Sequence, residues 1–133
     1  MTLSGYDNLE LEACRGFARM MNTLDVSHLT PWLADDMTYS SQRVFASLSG
    51  KEAYLNYITE KLETVRKANA SVWAEIAHTE AFSAGPCVVL AQGTKDNLVS
   101  TLLLKLRDGK IVNMDMCAVP APNECYRTGE FPA

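Results

Sequence analysis

The stretch that decides the fold is Trp32-Leu33-Ala34-Asp35-Asp36-Met37-Thr38-Tyr39, followed by Leu48-Ser49-Gly50-Lys51-Glu52-Ala53-Tyr54. Thr38 and Tyr39 favour an extended chain, so residues 37–42 read as a strand. Ser49 with Glu52 three residues later reads as a capping box that opens a helix. Tyr54, Leu55, Ile58, Leu62 and Val65 recur at helical spacing and carry that helix to about Asn69. Upstream, Leu9, Ala13, Phe17, Met20, Met21 and Leu24 mark one face of an earlier helix over residues 7–23, with Asp7 and Glu10 as its capping pair. Residues 26–33 suggest a short helix that begins near, or is irregular before, Pro31. Residues 44–48 pair back as a strand or form a loop.

From residue 71 the period changes from three-to-four to two. Residues 71–82, 86–95, 98–107 and 110–118 read as four strands. Ser83-Ala84-Gly85-Pro86, Asp96-Asn97 and Asp108-Gly109 supply the turns. Helices first and a meander last predict an α+β domain, with helices on one face of a curved antiparallel sheet. The residues from 119 to 133 hold three prolines and no period, and are expected to be an irregular tail of a single domain spanning 1–133.

This order, with Leu33-Ala34-Asp35-Asp36, Ser49-Gly50 and Leu106-Arg107-Asp108-Gly109-Lys110-Ile111-Val112, resembles the nuclear-transport-factor-2-like (SnoaL-like) superfamily over about residues 7–118. The resemblance implies a cone-shaped α+β fold, its curved antiparallel sheet holding the N-terminal helices on the concave face, with a pocket between them. It does not name a substrate, because one fold hosts many functions.

Composition narrows the function classes. Twelve Lys and Arg against 16 Asp and Glu leave a net charge of −4. No basic run exceeds Arg66-Lys67, which argues against a nucleic-acid partner. No apolar run reaches the about 18 residues of a membrane span, and residues 1–7 lack the pattern of a signal peptide. Cys14, Cys87, Cys117 and Cys125 show no CxxC spacing and read as free thiols in a reducing cytoplasm. With only His28 and His78 and no paired ligand spacing, no metal or other cofactor is expected.

Alternation assigns the strand faces. Val112, Met114, Met116 and Ala118 share one apolar face, read as inward, as are Ser100, Leu102, Leu104 and Leu106. If Asp96-Asn97 is a two-residue turn, Cys87, Val89, Ala91 and Gly93 join that inward face. The expected ligand-binding lining is Phe17, Met20 or Met21 (Met21 preferred), Trp32, Tyr39 or Ser41 (Ser41 preferred), Tyr54, Ile58, Leu62, Leu102, Met114 and Met116. The outward face carries Val99, Thr101, Leu103, Asn113, Asp115 and Cys117, with Ile111 at its edge. That is more apolar than a solvated sheet face, and it predicts a homodimer.

The resemblance extends to ketosteroid isomerases, which use a carboxylate base beside an oxyanion hole of a tyrosine and a protonated aspartate. The matching positions hold Ser41, Phe17 and Leu102, so isomerase chemistry of that kind is disfavoured. The remaining candidates for proton transfer are His78, as an imidazole, and Glu75. They lie on opposite faces of one strand, so only one can point inward. Asp115 falls on the outward face. His28 follows Asp25 by three residues, as in a local ion pair, and Asp35-Asp36 point opposite ways on an extended strand. The sequence thus supports a pocket protein for a small, mostly apolar organic molecule, of cyclase, isomerase or dehydratase type if it is an enzyme. The alternative is a non-catalytic dimerising or protein-association module of the same fold.

Overall fold

The computed structural model describes residues 5–42, 46–80 and 85–133. Helix α1 (Gly5–Thr23) leads into two short 3-10 turns (Val26–His28 and Thr30–Trp32), then strands β1 (Leu33–Ser41) and β2 (Ala46–Ser49). Helix α2 (Lys51–Ala68) follows, then the meander β3 (Val72–Thr79), β4 (Gly85–Gln92), β5 (Leu98–Arg107) and β6 (Lys110–Cys117). A last 3-10 turn (Pro122–Glu124) precedes strand β7 (Tyr126–Glu130). The expected order of helices first and a strand meander after them is present, with one strand more than expected at the end. The arrangement is a cone-shaped α+β fold built on one curved, unclosed sheet in the order β2-β1-β6-β5-β4-β3-β7.

Several local readings are corrected. The sheet is mixed, because β1 runs parallel to β6 while the other described pairs are antiparallel. The capping box at Ser49 and Glu52 does not form. Ser49 is the last residue of β2, paired with Thr38, and the N-cap is Gly50 at φ +97°, whose N–H donates to the carbonyl of Met37 at 2.7 Å. Asp7 falls inside α1 rather than capping it, and its side chain lies outside the described residues, as do residues 43–45 and 81–84.

The tail is not irregular. Its strand β7 pairs antiparallel with β3, with His78 opposite Tyr126 and Ala77 opposite Arg127. Period-two reading missed it because all but one of its five residues are exposed, so it has no buried side to alternate with.

The main core lies between the helices and the concave sheet face. Ala13, Cys14, Phe17, Ala18, Met20 and Met21 of α1 meet Tyr54, Ile58 and Leu62 of α2 and Ala74, Ile76, Val88, Leu90, Leu102, Ile111 and Met114 of the sheet. A second, smaller cluster occupies the convex face, where Ala77, Cys87, Val89 and Cys125 pack with Leu98 and Leu103. Strand β4 therefore has the parity opposite to the expected one: Val88 and Leu90 face the helices, and Cys87 and Val89 face away. The link from β4 to β5 spans residues 93–97, and a bulge sits where Leu90 pairs with Ser100 but Ala91 with Leu98. One extra residue moves every side chain of a strand to the other face. A second register shift, between Lys105 and Leu106, places Ile111 in the main core rather than at the outer edge.

The tail is tied down by polar contacts that meet buried groups. Glu75, 3% exposed, points to the convex side and accepts from Arg127 Nε at 2.8 Å and from the Gly129 N–H at 2.8 Å. Arg127 also reaches Asp96 at 2.9 Å. Asn22 of α1 donates to the carbonyls of Ala74 (2.8 Å) and Pro132 (2.7 Å) and accepts from the Ala74 N–H (2.8 Å), joining helix, sheet and tail. Arg15 makes two contacts with the Glu130 carboxylate, at 2.7 and 3.0 Å.

Two outcomes follow from this lashing. Arg127→Met leaves Glu75 buried with a charge matched only by a backbone N–H, and should lower the unfolding free energy by about 2 kcal/mol, read from the urea midpoint. The Arg15 hydrogen bonds hold the Glu130 carboxyl below its ordinary value of 4.5. A depressed folded-state value stabilises above the ordinary range, and that stabilisation is lost as pH falls through the lowered one. Glu130→Gln should therefore be less stable than the parent at neutral pH and equal to it in strong acid, as thermal melts against pH would show.

Candidate cavity on the concave face

A cavity of about 320 Å3 opens between α2, α1 and the concave sheet face. Helix α2 supplies Tyr54, Tyr57, Ile58, Lys61 and Val65, a run at spacings of three and four that keeps one helical stripe over the opening. Helix α1 contributes Phe17 and Met21. The sheet contributes Tyr39 and Ser41 from β1, Val72 from β3, Leu90 and Gln92 from β4, Val99 and Ser100 from β5, and Met116 from β6. Phe17, Tyr39, Ser41, Tyr54 and Ile58 are buried and form the floor, while Lys61 and Gln92 are exposed at the mouth.

Four of the residues read from the sequence as lining are not there. Trp32 stands over Gly16 on another side of α1, so close that a Cβ at Gly16 would lie 3.0 Å from the indole. Leu102 and Met114 are fully enclosed in the main core, further along β5 and β6, where packing closes the space. Leu62 is likewise core. Phe17, Met21, Ser41, Tyr54, Ile58 and Met116 do line the cavity. Sequence reasoning missed Leu90 and Gln92 through the inverted parity of β4, and Val99 because it sits at the bulge. Tyr57 and Lys61 were legible as the i+3 and i+7 neighbours of Tyr54.

Neither candidate proton carrier reaches the cavity. Glu75 is on the convex face, held by Arg127. His78 has the inward parity of Ile76 but lies at the far end of β3, exposed, its ring 6.5 Å from that of Tyr126. The other polar candidates are also engaged elsewhere. His28 Nε2 is 3.8 Å from Asp25, Asp36 pairs with Arg107 at 3.1 Å, and Asp115 accepts from Asn113 Nδ2 at 2.9 Å. All four cysteines are buried, and burial pushes the Cys117 thiol up to about 11 and the Cys14 thiol up to about 12. No group of three or more His, Cys, Asp or Glu among the described residues is placed to hold a metal ion.

The polar chemistry of the cavity is hydroxylic. Tyr39, Tyr54 and Tyr57 pack with ring centroids 5.3, 5.5 and 6.3 Å apart. The Tyr39 hydroxyl is hydrogen-bonded to Tyr57 and Ser41, and Lys61 Nζ donates to the Tyr57 oxygen at 3.3 Å. Burial, then the neighbouring phenol of Tyr57, raises the Tyr39 pKa, and burial raises that of Tyr54 well above the ordinary tyrosine value. Both phenols are thus neutral donors near pH 7. They can polarise a carbonyl but cannot take a proton. Among the described lining residues there is no carboxylate or imidazole.

No protein-family model matches the sequence, and no curated protein matches it significantly. Many solved structures do match in shape. An NTF2-like protein of unknown function from Mesorhizobium loti is 15% identical, with 96% of this chain and 98% of that one covered at a TM-score of 0.65. A SnoaL-like protein of unknown function from Burkholderia thailandensis is 16% identical, with 92% and 96% covered at 0.61. A protein with a ketosteroid isomerase-like fold from Catenulispora acidiphila, solved in complex with trimethylamine, is 18% identical, with 80% and 84% covered at 0.53. At these identities the likeness is one of fold: the chain has the nuclear-transport-factor-2-like (SnoaL-like) fold.

Proposed function

We propose that this chain is a pocket protein for a small, mostly apolar organic molecule, and that any reaction it performs is of cyclase, isomerase or dehydratase type. One observation carries this reading: a cavity of about 320 Å3 with a buried floor of Phe17, Tyr39, Ser41, Tyr54 and Ile58. Apolar walls with a few convergent polar groups are the usual make-up of a small-molecule site, and the volume lies within the usual range of about 300–1,000 Å3. The trimethylamine held by the Catenulispora neighbour adds that another protein of this fold takes a small organic molecule.

The hydroxyls give the reading its mechanism. Tyr54 and Tyr57 are placed to donate to a ligand carbonyl, Tyr39 backs Tyr57, and the apolar wall excludes water that would compete. Without a base in the lining, binding and polarisation come before proton abstraction in what the site can do. Four free thiols suit a reducing cytoplasm, where we place the protein. No helix among the described residues is long and apolar enough to cross a membrane.

A second reading, pairing of two copies through the outer sheet face, has Leu103 in its favour. It is half-buried on the convex side, opposite Asp115 and beside the second cluster. The rest of that face is smaller than the sequence implied. Val99 lines the cavity, Ile111 is core, and Thr101 is fully buried with its hydroxyl 4.0 Å from the sulfur of Cys125 in the tail.

Titration with N-phenyl-1-naphthylamine, a neutral apolar fluorophore, tests the pocket. One probe should bind per chain, and Met116→Trp should weaken binding by about tenfold or more by filling the space, with an unchanged circular dichroism spectrum. Equal binding by the variant would place the probe elsewhere. Because Tyr39 and Tyr54 keep their protons, the parent affinity should be flat from about pH 6 to about pH 9. Sedimentation velocity tests association: the parent should run as a dimer and Leu103→Glu as a monomer, whereas a parent monomer at high concentration removes the second reading.

A further inference from the structure

We infer that the cavity selects ligands bearing one anionic oxygen head, a carboxylate or an acidic enol or phenol, on an otherwise apolar body, with Lys61 and Tyr57 as the recognition pair. This rests on the pocket reading above and adds a charge and a place to it.

Lys61 is the one charged side chain among the described lining residues, and it makes no ion pair among the described residues. Its neighbours on α2 argue that this is not a simple solvated lysine. Arg66, one turn further on, is paired with Glu63 at 2.5 Å and caps the carbonyl of Leu24 at 2.7 Å. Lys61 instead folds over the mouth onto Tyr57, with Nζ 3.3 Å from the hydroxyl and 5.6 Å from the ring centre.

The hydrogen-bond inventory then fixes what Tyr57 can offer. A phenol has one donor and two acceptor lone pairs. The Tyr57 oxygen accepts from Lys61 Nζ. That contact takes an acceptor site and leaves the Tyr57 O–H to donate toward the cavity it lines. A protonated amine on its oxygen makes that O–H a stronger donor. A ligand oxygen placed there meets two donors, Tyr57 O–H and a second Lys61 N–H, and no lining acid repels it. Bonds with an ionised partner are about twice as strong as neutral ones, so an anionic oxygen gains most.

The opposite charge fits poorly. Three tyrosine faces within 6.3 Å of one another could cradle an ammonium group. Lys61 already presents its charge to Tyr57, however, and would repel a second cation at short range. A neutral head takes the two donors but leaves the lysine charge unmatched.

Calorimetric titration of the parent with 2-naphthoate, 2-naphthamide and 2-naphthyltrimethylammonium, one ring system with three heads, tests the inference. Naphthoate should bind about tenfold or more tightly than the amide, and the ammonium should be weakest. Lys61→Met should cost naphthoate about tenfold and the amide about two- to threefold, the loss of one neutral hydrogen bond, and Tyr57→Phe should reduce both. Naphthoate and amide binding alike in the parent, or a preference that survives Lys61→Met, overturns the charge inference. In that case retained binding of the neutral fluorophore leaves the pocket reading standing. A parent that binds none of the probes, the fluorophore included, overturns both together.

Discussion

A sheet that is apolar on both faces must be covered on both, and most of this molecule is arranged to meet that demand. Strands β3 and β4 are buried almost without alternation, from Ala74 to Ala77 and from Cys87 to Ala91. The helices cover only the concave side. The convex side is closed by the chain's own end: Cys125 packs onto Cys87 and Val89, and β7 continues the sheet beside β3. Burying Glu75 under that end is tolerable because both its carboxylate oxygens find donors. Leaving space on the concave side is tolerable because the polar groups there are met: the Tyr39 hydroxyl by Tyr57 and Ser41, and the Tyr57 hydroxyl by Lys61.

Much of the architecture was legible in the sequence for physical reasons. The apolar stripes of α1 and α2 have the helical period, and β5 and β6 begin and end within about a residue of where alternation and the Asp108-Gly109 turn put them. What failed was parity, which is an all-or-none property of a strand. A loop longer than two residues and the bulge at Val99 reversed β4, and with it the identity of the sheet residues under the cavity. Alternation also cannot see a strand like β7, whose residues are mostly wet on both sides. Its stability comes from Arg127, Thr128 and Glu130 finding partners far away in the sequence. The helix-borne part of the site was within reach. Tyr54 and Ile58 pointed to Tyr57 and Lys61 by simple helical spacing.

The described lining of the cavity holds no carboxylate or imidazole. The positions that the sequence resemblance matched to isomerase chemistry carry Phe17, Ser41 and Leu102, and Glu75, the buried carboxylate among the described residues, holds the tail. Among the described residues the cavity instead gathers phenol and serine hydroxyls, with Lys61 at its mouth and apolar side chains around them.

Strand β7 has one more consequence, for solubility. Without it, the eight residues of β3 would form an open edge, offering a row of free backbone N–H and C=O groups beside an apolar surface. With it, the outermost strand is five residues long and carries Arg127 and Glu130, while the opposite edge is the four-residue β2. Short, charged borders are poor templates for another copy to extend. The last residues of the chain thus act as an edge guard against strand-to-strand polymerisation, and shortening or fusing this end changes how the protein behaves in a crowd before it changes anything in the cavity.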